Sequence, residues 1–291
     1  MKVAIIGPGA MGCLFAARLT RAGIRTFLVD YQNDRAARLN ENGVWIEEEG
    51  GVWTTKPEVM TSVPPGVNLV IVMTKAYATG RLRFPPDVPI LTLQNGLGNV
   101  ETLCSMVGSA RVLVGVTSEG STLLGEGRVR HAGVGTTRLG AWTSSDPEPP
   151  VAALRKAGFD VEATEAPGQL VWEKVAINAA INPITAILNV PNGTILDIRE
   201  ARQLMRDLVV EAAKVASTEG YRFGQSLIEA AEDVCRATAS NISSMLQDVR
   251  AGKPTEIDAI SGEILRRAQL ASLPAPRTRV IYQLVRGLEH H

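Results

Sequence analysis

Three polar side chains recur at four-residue intervals in a largely apolar run: Lys174, Asn178 and Asn182, within Trp172-Glu173-Lys174-Val175-Ala176-Ile177-Asn178-Ala179-Ala180-Ile181-Asn182. Residues so spaced project from one side of a helix, so an amine and two carboxamides face whatever lies beside it. Hydride addition to a ketone builds negative charge on oxygen, and a cationic donor within hydrogen-bond reach lowers that barrier electrostatically and by proton transfer. The two carboxamides supply neutral donors and acceptors that can orient a hydroxyl and a carboxylate without burying another charge. Spacing alone equally allows the trio to bridge to a neighbouring helix. Histidine, the usual alternative donor, is scarce. His290 and His291 fall in Leu288-Glu289-His290-His291, where residues 289–291 are expected to be a tag remnant, and His131 stands between Arg130 and Ala132 in a predicted strand, where a structural role is expected.

A second constellation lies near the start. Gly7-Pro8-Gly9-Ala10-Met11-Gly12 follows the apolar run Val3 to Ile6 and opens a helical pattern over Met11 to Ala22. In that strand-to-helix context the first glycine permits a tight turn, the second lets backbone approach a pyrophosphate, and the third allows close helix–strand packing. The amides of the helix N-terminus then face the negative charge. Asp30 ends the next predicted strand, Thr26 to Val29, near the offset at which an acid takes the ribose hydroxyls of NAD. Arg35 and Lys75 are placed to reach a 2′-phosphate, so both NAD(H) and NADP(H) stay open. Farther on, Thr255 and Asp258 form an S/T-x-x-D helix cap with Glu256 in its first turn. Glu256 suits dipole compensation there, and near Lys174 it would tune the amine's charge.

The elements that must hold these residues change character along the chain. Strands at Val3–Ile6, Thr26–Val29, Leu69–Met73, Ile90–Leu93 and Val112–Val116 alternate with helices at residues 11–22, 34–42 and 100–107, which predicts a parallel sheet. Residues 73–90 carry Gly80, Pro85, Pro86 and Pro89 and are expected to be irregular; residues 128–142 favour strands, and 154–163 a helix end and a strand. Beyond Pro167 helical periods take over, at 170–188, 199–219, 226–250 and 257–271. The fold class is therefore α/β, with an N-terminal Rossmann-type dinucleotide-binding domain at residues 1–166 and a C-terminal all-helical domain at 167–288.

With 291 residues, 45% hydrophobic, and 30 basic against 30 acidic side chains, the chain has an ordinary globular balance and no basic surplus for nucleic acid. No apolar run approaches the roughly 18 residues of a membrane span, and a cytoplasmic location is expected. Cys13, Cys104 and Cys235 lack metal-ligand or disulfide spacing, so no metal is expected. The apolar second-half helices leave a homodimer open.

Taken together, the glycine motif, Met73-Thr74-Lys75, Gln94-Asn95-Gly96-Leu97-Gly98, the Lys174 helix, Pro191-Asn192-Gly193, Ser243-Ser244-Met245-Leu246-Gln247-Asp248 and Thr255-Glu256-Ile257-Asp258 with Gly262 resemble the ketopantoate reductase (2-dehydropantoate 2-reductase) family over nearly the whole chain. The resemblance implies reduction of a small 2-keto acid, 2-dehydropantoate, to pantoate in pantothenate synthesis, usually with NADPH. By the same resemblance Lys174 is the proton donor, and Asn178, Asn182, Asn192 and Ser244 bind substrate. Asn95 is shared between cofactor and substrate, and Glu256 serves both catalysis and the cofactor. Two departures stand out: Asp30-Tyr31-Gln32-Asn33 replaces the family's common basic residue after the second strand, and the stretch after Lys75 is short and proline-rich. A reductase of another 2-keto acid and a non-catalytic dinucleotide sensor are the alternatives.

Overall fold

A computed structural model describes residues 1–223 and 226–290. The chain forms two compact units, one of residues 1–94 and 99–167, the other of residues 95–98 and 168 onward.

In the first unit the chain runs β1 (Lys2–Ile6), α1 (Ala10–Arg21), β2 (Arg25–Val29), α2 (Asn33–Asn42), β3 (Val44–Glu48), β4 (Gly51–Thr55), β5 (Glu58–Met60), β6 (Leu69–Val72) and β7 (Ile90–Thr92). It continues through α3 (Asn99–Val107), β8 (Val112–Thr117), β9 (Gly120–Gly125), β10 (Arg128–Gly133), β11 (Thr136–Ala141), α4 (Glu148–Lys156) and β12 (Asp160–Ala163). Eight strands pair in the order β12-β11-β8-β7-β6-β1-β2-β5. From β5 to β8 all are parallel, and the chain winds outward from β1 first to β2 and β5, then to β6, β7 and β8. That is the 3-2-1-4-5-6 order of a doubly wound dinucleotide-binding sheet. β1 and β6 are apolar without alternation because both faces of the sheet are covered; Val3, Ala4, Ile5, Val70 and Ile71 are fully buried. β11 joins antiparallel to β8, with β12 parallel beyond it.

Residues 44–60 hold three strands that periodicity does not announce. β3 and β4 form a hairpin that pairs through β10 with β9 as a separate four-stranded sheet, and Val44, Ile46 and Val129 pack into the same core as Cys13, Leu14 and Phe15 of α1. The expected irregular crossover is present: a short 3₁₀ stretch, Ala76–Arg81, precedes the prolines. Arg111 ties that loop down by donating to the carbonyls of Pro85 at 2.6 Å and Val88 at 2.8 Å.

The second unit is helical, with α5 (Pro167–Leu188), α6 (Thr194–Asp197), α7 (Arg199–Thr218), α8 (Leu227–Ala237), α9 (Ser244–Arg250), α10 (Glu263–Leu270) and α11 (Pro276–Leu288). Val175, Ala176, Ala179, Ala180, Ile181 and Ile184 of α5 pack into one core with Leu208, Val209, Ala212 and Val215 of α7. The helix expected over residues 226–250 is two. Thr238 closes α8 by donating its hydroxyl proton to the Val234 carbonyl at 2.6 Å, and Ser243 caps α9 by accepting from the Leu246 amide at 3.1 Å. Hydroxyl side chains that bond nearby backbone compete with helix continuation, and here they win. A wide π turn, Asp258–Gly262, leads into α10, with the Gly262 amide donating to the Ile257 carbonyl five residues back at 2.9 Å.

Among the described residues no helix is long and apolar enough to cross a membrane, and no group of three or more His, Cys, Asp or Glu is placed to hold a metal. α11, which periodicity does not single out, starts at Pro276. Its first amides are satisfied from another helix: the buried Glu211 carboxylate of α7 accepts from the amides of Arg277 at 3.0 Å and Thr278 at 2.8 Å, and from the Thr278 hydroxyl at 2.7 Å. Glu211→Ala strands those donors and is expected to lower the unfolding free energy by about 1–3 kcal/mol, read from the urea midpoint.

Candidate active site

The glycine turn is built for a ligand that touches backbone. Gly7 adopts φ +112°, and a Cβ there would lie 2.8 Å from the Thr74 amide nitrogen; one on Gly12 would lie 1.8 Å from the Gly7 carbonyl oxygen. Those two glycines let the protein close on itself. Gly9 is different, because a Cβ on it would meet nothing within 4 Å, so its bare backbone leaves room for something outside the chain. Gly9 is also the N-cap of α1 and supplies no side-chain cap, and the first turn, starting at Ala10 and Met11, has no acidic residue. Uncapped amides at the positive end of a 12-residue helix, entered through Pro8, fit a dinucleotide's pyrophosphate. Lys75, half-buried, follows Thr74 at the edge of the same turn, where the Thr74 carbonyl accepts from Gln94 Nε2 at 2.9 Å.

Asp30 lies where the ribose acid of a dinucleotide fold is expected, but its acceptors are already engaged. The side chain is fully buried, Oδ2 accepts from Arg35 Nε, and Oδ1 accepts from Arg35 Nη2 at 2.7 Å and from the Gln32 amide at 3.0 Å. The pair holds the Arg35 guanidinium, a quarter exposed, at the end of β2. Arg35 also stacks against Tyr31, its guanidinium carbon 5.9 Å from the ring centre.

In the second unit, Lys174 sits half-buried on α5 between the core residues Trp172 and Val175. Burial pushes its ammonium from the ordinary lysine range down to about 8, and the Glu256 carboxylate opposes that shift. Asn178 is half-buried one turn on, and Asn182 is buried a turn later, its carbonyl 2.9 Å from the Thr185 hydroxyl. Glu256, also buried, accepts from Asn95 Nδ2 at 3.4 Å. Asn95 is positioned by its neighbours: the Leu97 amide donates to the Ala259 carbonyl at 2.7 Å, and Gly96, at φ +91°, lies so close that a Cβ would be 2.6 Å from that of Ala259. Lys174, Glu256 and Asn95 are thus brought together through α5, the π turn and the segment 95–98. Sequence reasoning passes over Ala259; its signal is a small residue three places after the glutamate.

Other expected residues occupy separate elements of this unit. Asn192 is buried in the Pro191-Asn192-Gly193 turn before α6, and its Nδ2 donates to Thr238 Oγ1 at 2.9 Å. Ser244 opens α9 with its surface exposed, while the inward hydroxyl is that of Ser243, 2.7 Å from Thr185 Oγ1. Thr255 and Asp258 do not form the expected reciprocal cap. The Thr255 amide and hydroxyl both donate to Glu289 at 2.7 Å, and Asp258 accepts from the Tyr282 hydroxyl at 2.8 Å.

His131, in the first unit, is committed elsewhere. Its Nδ1 lies 3.1 Å from Arg18 Nη2, and because arginine can only donate, Nδ1 is the acceptor. The ring proton then sits on Nε2, 2.5 Å from Glu119 Oε2, with both side chains buried.

Residues 3–144 match the family model described as "Ketopantoate reductase PanE/ApbA", and residues 168–289 match its C-terminal counterpart. The 2-dehydropantoate 2-reductase of Halobacterium salinarum is 34% identical over 297 residues, covering 98% of each chain, and that of Pyrococcus horikoshii is 34% identical over 300 residues, covering 99% of this chain and 98% of its own. Among solved structures, a PanE/ApbA family ketopantoate reductase from Ralstonia eutropha superposes with a TM-score of 0.90 at 29% identity. A D-mandelate dehydrogenase bound to NADH and anilino(oxo)acetate does so with 0.93 at 25% identity; each comparison covers 100% of this chain and 99% of the other.

Proposed function

The chain belongs to the ketopantoate reductase family, and from that premise we propose that it reduces 2-dehydropantoate to pantoate, a step of pantothenate synthesis, with Lys174 as proton donor. The observation that carries this reading is a half-buried lysine, set among the core residues Trp172, Val175 and Ala176, whose ammonium is pushed down to about 8 beside a buried glutamate. A donor with an acidity near the working pH is protonated often enough to give and weakly held enough to release.

The nicotinamide dinucleotide, when bound, supplies the hydride to the C2 carbonyl carbon. Lys174 holds its proton at Nζ and delivers it to the carbonyl oxygen as charge develops there. Glu256 favours the charged amine, keeping the donor loaded at neutral pH. The carboxamides of Asn178 and Asn182 orient the substrate along the helix face, Asn192 and Ser244 contribute further polar contacts, and Asn95 is shared by substrate and cofactor. Gly7 to Gly12 hold the pyrophosphate.

NADPH is the reading that the second-strand geometry favours. With Asp30 fully buried and engaged by Arg35 and Gln32, no free acid remains there to take the ribose hydroxyls or repel a 2′-phosphate. The partly exposed Arg35 guanidinium offers a cationic donor to that phosphate, and Lys75, at the edge of the glycine turn, adds a second cation on the cofactor side.

Lys174→Ala is expected to lower kcat by at least about a hundred-fold while NADPH binding, followed by fluorescence titration, is kept; wild-type turnover in this variant would remove Lys174 from the mechanism. Because the protonated amine is the active form, kcat/KM for reduction should fall as pH rises through about 8. Glu256→Gln should move that descending limb to lower pH, which a pH–rate profile reads directly. Arg35→Ala should raise KM for NADPH about ten-fold and leave that for NADH little changed; an unaltered ratio of specificity constants would exclude Arg35 as the 2′-phosphate ligand.

A further inference from the structure

Glu256 has no regular helix of its own. Residues 253–257 form neither helix nor strand, so the carboxylate beside Lys174 is placed by whatever holds its neighbours. Before it in the chain, the Thr255 amide and hydroxyl both donate to Glu289 Oε1 at 2.7 Å, and the same hydroxyl oxygen accepts from the Ile257 amide at 3.2 Å, bridging the backbone across Glu256. After it, Asp258 Oδ1 accepts from the Tyr282 hydroxyl at 2.8 Å, and Oδ2 lies 3.5 Å from Arg286 Nη1. Both ties run to α11 and the residue that follows it. Ile281 and Val285 seat that helix in the same core as Ile257 and Ile260. Glu289 falls among the residues expected to be a tag remnant, yet its side chain is 8% exposed, and its second oxygen accepts from Arg286 at 2.7 Å.

The attraction between two charges falls with distance, and a buried pair is little screened by salt, so loosening residues 255–258 would change how strongly Glu256 favours the Lys174 ammonium. Resting on the reading of Lys174 as proton donor, we infer that Glu289 and Tyr282 are positioning residues: from α11 and its end they hold Glu256 where it keeps that amine charged. They act through Glu256 and not on a ligand. The charged groups of the segment and its supports are Glu256, Asp258, Arg286 and Glu289, with Lys174 of α5 beside Glu256; Asn95, which donates to Glu256, is neutral. The Tyr282 phenol keeps its proton through the working range, because the Asp258 carboxylate bound to its hydroxyl holds it above the ordinary tyrosine range. The tie to Asp258 is therefore not itself broken as the lysine titrates.

The test follows the pH profile of kcat/KM for 2-dehydropantoate with NADPH, together with the titration of Lys174 read by NMR on isotope-labelled lysine and assigned by the signal lost in Lys174→Ala. In the wild-type enzyme both midpoints are expected at about 8. Glu289→Ala should move both down by about half to one pH unit, because a loosened carboxylate favours the ammonium less. Glu289→Gln loses the charge but keeps an acceptor for Thr255, so it should hold both near the wild-type values; a shift as large as in the alanine variant would reveal a field effect in place of positioning and overturn the inference. In a Glu256→Gln background Glu289→Ala should move nothing further, and a shift that persists there also overturns it. Tyr282→Phe releases the Asp258 side alone and should give a smaller shift in the same direction. If Glu289→Ala does not fold, an unmoved midpoint in Tyr282→Phe decides against the inference. A merely structural role would scale the whole profile down and leave its midpoint in place, which overturns it too. Absence of turnover in wild-type enzyme sinks the proposed function, with the Lys174 titration still deciding the positioning role; a Lys174 midpoint unmoved by Glu289→Ala sinks the positioning role and leaves the function standing.

Discussion

The proposed mechanism depends on an ammonium group placed partly out of water. Lys174 projects from a helix whose neighbours at Trp172, Val175, Ala176 and Ala179 are core residues, and withdrawal from solvent penalises the charged form. That penalty favours the neutral amine, which is a poor proton donor to an incipient alkoxide. Glu256 supplies the opposing field, so the group stays close to balance between its two forms. The requirement propagates outward: Glu256 has to be held near α5, which makes the irregular segment before α10 as consequential as the regular helix that carries the lysine.

How that segment is held explains why several glycines and small residues recur. The π turn at Asp258–Gly262 widens the backbone where Gly96 and Leu97 lie against Ala259. π turns inside helices concentrate at functional sites, and here the turn directly follows the glutamate. On the first unit the same economy of side chains appears in another form, with Gly7 and Gly12 closing the turn on itself and Gly9 leaving its outer side bare.

The parts readable from the chain alone are those whose cause is local. The glycine turn announces itself because Gly7 and Gly12 answer constraints within a few residues or beside the adjacent strand, while Gly9 stays bare between them. The parallel strands are readable because full burial forces unbroken apolar runs, as in Val3 to Ile6 and Leu69 to Val72. The four-fold spacing of Lys174, Asn178 and Asn182 survives as one helix. What could not be read has a distant cause. β3 and β4 carry Trp45, Glu47, Val52 and Thr54 toward solvent, and their pairing is completed by β10, some 80 residues away. α11 is capped by Glu211, more than 60 residues earlier. Asp30 has the right type and place for a ribose acid, yet its engagement with Arg35 depends on how α2 turns after β2. Ser243 rather than Ser244 faces inward because the break after α8 sets the phase of α9.

The tetrapeptide Asn95–Gly98 is flanked on both sides by chain of the first unit but packs as part of the second. The helical unit is therefore not a contiguous stretch of the gene. A fragment beginning at Pro167 would keep α5 to α11 and still lack the amide that bonds the Ala259 carbonyl and the carboxamide that meets Glu256. Dissection at a single cut, or recombination that exchanges only the C-terminal portion between relatives, would separate a side-chain neighbourhood that the fold assembles from two stretches of sequence.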